Sequence, residues 1–266
     1  MDLAQSIERV GESLRVLRHQ EANYKSIVAT FQTEGFYAAN QDGAADAVEA
    51  LYASGVAQDA ANTHHELWTS LESKVINSYF AYIPDKYRRP LTLQAVKGAN
   101  MLDHAVGAVV TIVGDVQHYH IGLGARNSVV THDGLVGCIG NSSRNSLFIQ
   151  RGDVTHSIGA GAVNSIFKVD GFAHDLGSFA DGSFFVANGD VDYLLRNAKR
   201  SSAEVSGDVR NAALGQSNKC RANVQGTLMS SLGNHAMDAR VYARGGVLGK
   251  VYLDGATVQP EPLVIA

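Results

Sequence analysis

At 266 residues, with 45% hydrophobic and 18% charged side chains, the chain has an ordinary globular composition and the length for two modest domains or one elongated one. A formal net charge of -4 leaves no basic stripe to neutralise phosphates, so nucleic acid is not an expected partner. The first twenty residues carry charges throughout, and no run of eighteen apolar residues follows, so neither a classical signal nor membrane insertion is expected.

In chain order, Ile7, Val10, Leu14, Leu17, Tyr24, Val28 and Phe31 recur in alternating steps of three and four, with Glu21 interrupting the heptad. This pattern predicts either a coiled-coil seam, which would make these residues an oligomer interface, or an amphipathic helix packed on its own domain. A break at Glu34 to Phe36 leads to a short helix near Ala44 to Tyr52. A longer helix follows from about Asp59 to Tyr82, with Leu67, Leu71, Val75, Tyr79 and Tyr82 as its apolar face. Pro84 and Pro90 end the helical part. Residues 1–90 are therefore read as a helical attachment or oligomerisation region, and 91–109 as a junction able to serve as a first coil or a cap.

From Val110 to Gly255 a glycine-anchored repeat dominates. Gly114, Gly134, Gly152, Gly171, Gly189, Gly207, Gly226 and Gly245 are spaced by 18 to 20 residues. Four residues before each glycine stand Val110, Val130, Phe148, Phe167, Phe185, Ala203, Ala222 and Val241. Six before it come Ser128, Ser146, Ser165, Ser183, Ser201, Cys220 and Ala239, all small. The period is too short for a helical hairpin, and the content is β-branched and aromatic, broken by Gly, Asn and Asp. The expected fold is thus α+β, a helical region followed by a β-solenoid of about eight coils over 110–255. At about 4.8 Å per coil the rod would be on the order of 40 Å long. The always-small column predicts a tight corner or a narrow interior position. Pro260 and Pro262 would stop strand pairing, so 256–266 is read as a tail.

Signals for chemistry are sparse. Cys138 and Cys220 lie about four coils apart, too far for a disulfide within one chain, and are read as small reduced core residues. His118 and His120 would share one side of a strand, near His104 and His132, but no matching ligands stand out in the next coils and no metal is expected. Asp115, Asp153, Asp190 and Asp208, each following a repeat glycine, read as turn residues at solvated corners. Of these, Asp190 and Asp208 would be the pair to test if the groove cleaved carbohydrate. No phosphate loop or nucleophile elbow is present, and no catalytic residue or cofactor is assigned.

Three resemblances set expectations of function. The segment Met101-Leu102-Asp103-His104-Ala105-Val106-Gly107-Ala108-Val109-Val110 resembles the part of serine acetyltransferases that carries their catalytic histidine. That resemblance implies His104 as a general base and Asp103 as a neighbouring acid. The family's hexapeptide cadence and second His-Pro motif are not kept. The Val-x-Gly-Asp-Val cadence, as in Val205 to Val209, resembles bactofilins, and implies a polymerising cytoskeletal rod. The whole arrangement, a heptad segment, a helical region and a solenoid, resembles bacteriophage fibres, tailspikes and head-decoration proteins. That likeness implies a non-enzymatic structural or attachment protein of a virion. It would be a homotrimer held to other virion proteins by its N-terminal region, with a host-surface glycan as a further candidate partner.

Overall fold

The computed structural model describes residues 33–53, 55–63, 65–229, 231–233, 235–248 and 256–259. The heptad residues Ile7, Val10, Leu14, Leu17, Tyr24, Val28 and Phe31 lie outside the described residues. Among the described residues four helices come first: α1 (Glu34–Ala39), α2 (Ala44–Ala53), α3 (Val56–Thr63) and α4 (His65–Tyr82). α1 begins where the Thr33 hydroxyl accepts the Phe36 N–H at 3.4 Å. α2 buries Ala44, Ala45, Ala47, Val48, Leu51 and Tyr52, alanines over its first turn and larger apolar side chains beyond it.

Of the expected apolar face of α4, Val75 and Tyr79 face inward and Tyr82 does not, while the side chains of Leu67 and Leu71 lie outside the described residues. Trp68, Glu72, Val75, Ile76, Tyr79 and Phe80 are buried, whereas Tyr82 is 42% exposed. Glu72, a surface residue by type, faces inward and meets the solenoid's first coil at Leu102.

The remainder is a parallel β-solenoid of about eight turns. Each turn contributes one strand to a ten-stranded parallel sheet and, along most of the rod, a second strand to a seven-stranded parallel sheet. A third side is a ladder of single bridges running Val106, Arg126, Arg144, Val163, Asp181, Lys199, Asn218 and Met237. The segment 91–109 supplies the first coil, since Leu91–Gln94 pairs in register with Val110 to Val113. At the other end Ala256–Gln259 pairs with Ala239 to Tyr242, so the ladder continues into the segment expected as a tail. Pro260 and Pro262, expected to stop the pairing, lie outside the described residues.

The repeat columns now have physical causes. At the corner between the two sheets, the glycines stack so closely that a Cβ on Gly189 would lie 2.5 Å from the carbonyl oxygen of Gly171, one coil earlier. A side chain there has no room, which is why glycine recurs. The small column is an interior ladder. The Ser146 hydroxyl accepts the Ser128 N–H (3.1 Å), Ser165 that of Ser146 (3.3 Å), Ser183 that of Ser165 (3.2 Å) and Ser201 that of Ser183 (3.2 Å). Each hydroxyl satisfies a buried donor that the bend removes from the regular ladder.

Phe148, Phe167 and Phe185 form a stack through the core, with ring centroids 5.2 and 4.9 Å apart. The third corner of each coil turns through left-handed residues at a fixed spacing, for example Gly122, Gly124 and Asn127, and later Leu195, Asn197 and Arg200. Non-glycine residues at positive φ cost about 1 kcal/mol or more each. Burial of Leu195 and its equivalent Leu214 at 0% exposure offsets that cost.

Candidate functional site

Three regions concentrate features that could act on something outside the chain. These are the covered end of the rod, the outer face of the ten-stranded sheet and the outer face of the seven-stranded sheet.

At the covered end, side chains of the helices replace the missing neighbouring coil. Glu49 of α2 accepts the Thr92 N–H at 2.6 Å. Gln58 of α3 pairs with Lys97 twice, accepting its N–H at 2.8 Å and donating to its carbonyl at 2.7 Å. From α4, Glu72 accepts the Leu102 N–H at 2.9 Å and Asn77 accepts the Val106 N–H at 2.7 Å. An open strand edge invites pairing with another chain, and these four side chains close it. Arg89 fixes the first of them by forking onto both Glu49 oxygens at 2.7 and 2.8 Å. Burial drives the Glu72 carboxyl up to about 8, against the hydrogen bonds from Leu102 and Tyr52 and with the help of the Asp103 charge.

On the ten-stranded sheet, the outward residue of each coil forms a row in register: Val109, Val129, Leu147, Ile166 and Phe184. Val109, Val129 and Ile166 are 36%, 37% and 49% exposed. Beyond Phe184 the same row turns polar and basic, through Ser202, Arg221 and Arg240. Five apolar rungs at about 4.8 Å make a flat stripe roughly 20 Å long on one half of the rod.

On the seven-stranded sheet the outward side chains are polar and chemically varied. Here the sequence readings are partly corrected. Cys220 is buried in the serine column, as a core residue, but Cys138 is half-buried on the outer face. His120 pairs in register with Cys138, and Cys138 with Ser157. His118 sits at a positive φ beside a break in register, and its ring meets His156 edge-on at 6.1 Å, so it does not converge with His120. His132 is fully buried, its ring nitrogens against Gln150 Oε1 (2.7 Å) and Gly114 O (2.8 Å). Among the described residues, no group of three or more His, Cys, Asp or Glu side chains is arranged to hold a metal ion.

His104 and Asp103 lie at the first corner under α4. A Cβ on Gly124 would come 2.6 Å from His104 Nδ1, so the imidazole covers the glycine of the next coil. Asp103 is 6% exposed and its Oδ2 accepts Asn100 Nδ2 at 3.0 Å. The aspartates after the repeat glycines are not free corner carboxylates. Asp115, Asp153, Asp190 and Asp208 each accept the N–H of the equivalent residue one coil on, respectively Leu135, Phe172, Asp208 and Thr227, at 2.7 to 2.9 Å. Asp190 is also paired with Arg210. Both members of the proposed carbohydrate-cleaving pair are thus committed to holding coils together, and the backbone N–H of Asp208 with Arg210 keeps Asp190 below the usual carboxylate range.

The repeat itself could have located the His120 and Cys138 contact. Residues one period apart stack, and these two are eighteen apart. Nothing in the sequence singled out Glu49, Gln58, Glu72 and Asn77, because their partners are backbone groups of a distant segment.

No protein-family model, curated protein or solved structure gives a significant match to the chain. The fold class is therefore a helical region followed by a parallel β-solenoid, and the likenesses to bacteriophage fibres, bactofilins and serine acetyltransferases rest on no matched relative. Among the described residues no helix is long and apolar enough to cross a membrane.

Proposed function

We propose that the protein is a structural or attachment protein that works through a rigid β-solenoid, in the manner of bacteriophage fibre, spike and decoration proteins, and that it assembles as a homotrimer. The observation that carries this reading is the exposed apolar row from Val109 to Phe184. Solvent-facing strands normally alternate with polar residues, and a continuous apolar row, exposed or half-exposed among the described residues, suits burial against equivalent rows of other copies. The dense commitment of polar side chains to coil-to-coil hydrogen bonds supports stiffness as the selected property. Closure of one end by the helices supports a discrete oligomer over an end-to-end filament, because the Thr92, Lys97, Leu102 and Val106 N–H groups of that end are already taken by helix side chains. In this reading the N-terminal region attaches to other components of the particle, and a host-surface glycan is the partner considered for the exposed rod.

Sedimentation equilibrium of the full-length protein tests the proposal. A single species of three chains is expected. A monomer at all concentrations, or an open-ended series of larger species, would overturn it. Replacing both Leu14 and Leu17 by Asp, against replacing both Leu147 and Ile166 by Glu, then reports whether the heptad segment or the sheet face holds the trimer.

A further inference from the structure

The outward column of the seven-stranded sheet places His120, Cys138 and Ser157 on three successive rungs. The imidazole of His120 is hydrogen-bonded to the Cys138 thiol, and the Ser157 hydroxyl donates to Cys138 Sγ at 3.3 Å. Ser157 is itself held from behind, since Asn141 Nδ2 donates to its Oγ at 2.7 Å. One rung before His120, Asn100 accepts the His120 backbone N–H at 3.1 Å and donates to Asp103 Oδ2 at 3.0 Å. Asp103 is thus tied through Asn100 to the backbone of His120 while lying 6% exposed.

Two atoms of this cluster are buried without a hydrogen-bond partner: Asp103 Oδ1 and His120 Nδ1. Orphaned buried polar atoms are costly in a fold that satisfies its other ladders so thoroughly, and they gather where strain or function is kept. A thiol with an imidazole on the neighbouring rung, and a buried carboxylate tied to that rung through Asn100, supply the parts of an activated nucleophile.

We propose that Cys138 is a nucleophile that takes an acyl group from an ester or thioester donor, with His120 as its base and Asp103 as a positioning residue for the imidazole. The thiol proton passes to the His120 imidazole as sulfur bonds to the acyl carbon. The bond from that carbon to the leaving oxygen or sulfur breaks, and the imidazolium returns the proton to it. The products are a Cys138 thioester and a free alcohol or thiol, with no change of oxidation state. A disulfide is not the natural product, because Cys220 lies roughly 20 Å along the rod at about 4.8 Å per coil.

The electrostatics of the cluster agree with this role. Burial pushes the Cys138 thiol up, but the hydrogen bond from His120, that from Ser157 and the imidazole's charge together leave it below the ordinary value. His120 is raised, chiefly by Cys138 against its own burial, and also by the Asp103 charge. Cys220, by contrast, is raised by burial and serves as an internal reference.

The test is incubation of the full-length protein with p-nitrophenyl acetate, following nitrophenolate release and the intact mass. The expected result is a burst of one acetyl group per chain, mapped to Cys138 and removed by hydroxylamine, with Cys220 unmodified. His120→Asn should slow the burst by about 10²-fold or more, the usual range for loss of a general base. Asp103→Asn should move the pH midpoint of the burst, which a purely structural role would leave in place. Acetylation of Cys138 at the rate of a cysteine in the urea-unfolded chain, or an unchanged burst in folded His120→Asn, would overturn the proposal. Should the variants not fold, the pH dependence of Cys138 alkylation in the unaltered protein decides it. A midpoint below that of the unfolded chain is expected, and a midpoint at or above it refutes the assignment.

Discussion

The ring of Phe185 lies so close to Gly177 that a Cβ on the glycine would come within 2.8 Å of the phenylalanine Cε2. One coil later the sizes are exchanged, with Leu195 at the glycine's place and Ala203 at the phenylalanine's, and both are at most 2% exposed. Gly140 with Phe148 and Gly159 with Phe167 follow the first arrangement, and Leu214 with Ala222 the second. The interior has a constant cross-section to fill, and it is filled from either side.

This exchange predicts strong coupling between the two positions. Phe185→Ala should cost about 3–5 kcal/mol through the cavity it leaves. Gly177→Leu should cost about 1–3 kcal/mol, through overpacking against Phe185 and Leu195 and the positive φ of that residue. Joined, the two changes reproduce the Leu195 and Ala203 arrangement, and their combined cost should fall about 1–3 kcal/mol short of the sum. Urea denaturation of the two single variants and the double variant measures the shortfall, and strict additivity would reject the account of the core.

Gly189→Ala tests the stacked corner. Its Cβ would meet the Gly171 carbonyl at 2.5 Å, and backbone cannot yield as a side chain would. A loss of about 1–3 kcal/mol is expected, read as a lower urea midpoint. Gly215→Ala is the control, since a Cβ there meets nothing within 4 Å, and it should change stability far less.

Glu72 makes the junction of helices and solenoid sensitive to pH. Its carboxyl is raised from 4.5 to about 8, chiefly by burial, with Asp103 adding to the shift and the Leu102 N–H and Tyr52 hydroxyl opposing it. Between those values the folded protein holds a proton that the unfolded chain has released, so stability falls as pH rises. The contribution is complete below about pH 4.5 and lost as pH rises through about 8. Glu72→Gln keeps a neutral acceptor for Leu102 and should flatten the decline. Urea midpoints from pH 5 to 8.5 compare the two proteins, and parallel curves would show that Glu72 does not set the slope.

The apolar row predicts an assembly defect without a folding defect. Replacing Leu147 and Ile166 together by Glu should lower the native mass to one chain while changing the monomer's stability by less than about 1 kcal/mol, since both side chains face outward. Light scattering and thermal unfolding on the same samples provide both readings. An unchanged mass would remove this face from the interface.

The sequence by itself determined the solenoid, because its cause is local and repeated. Gly189 must be glycine wherever corners stack within van der Waals reach, and Ser165 must be small and able to accept a hydrogen bond wherever the interior narrows. Each such demand recurs once per coil, so it is written as a column. Tertiary structure decided what occurs once. The inward turn of Glu72 and the pairing of Gln58 with Lys97 depend on how the helices close one end of the rod, and that environment does not recur from coil to coil to make a pattern. Cys138 and His120 stand between these cases. Their adjacency is fixed by a one-period separation, but their chemistry depends on which side chains lean across the rung and on the buried carboxylate of Asp103 beside them. Hydrogen-bond geometry of that kind belongs to three dimensions, because a column specifies which residues are neighbours and leaves open which of their atoms meet.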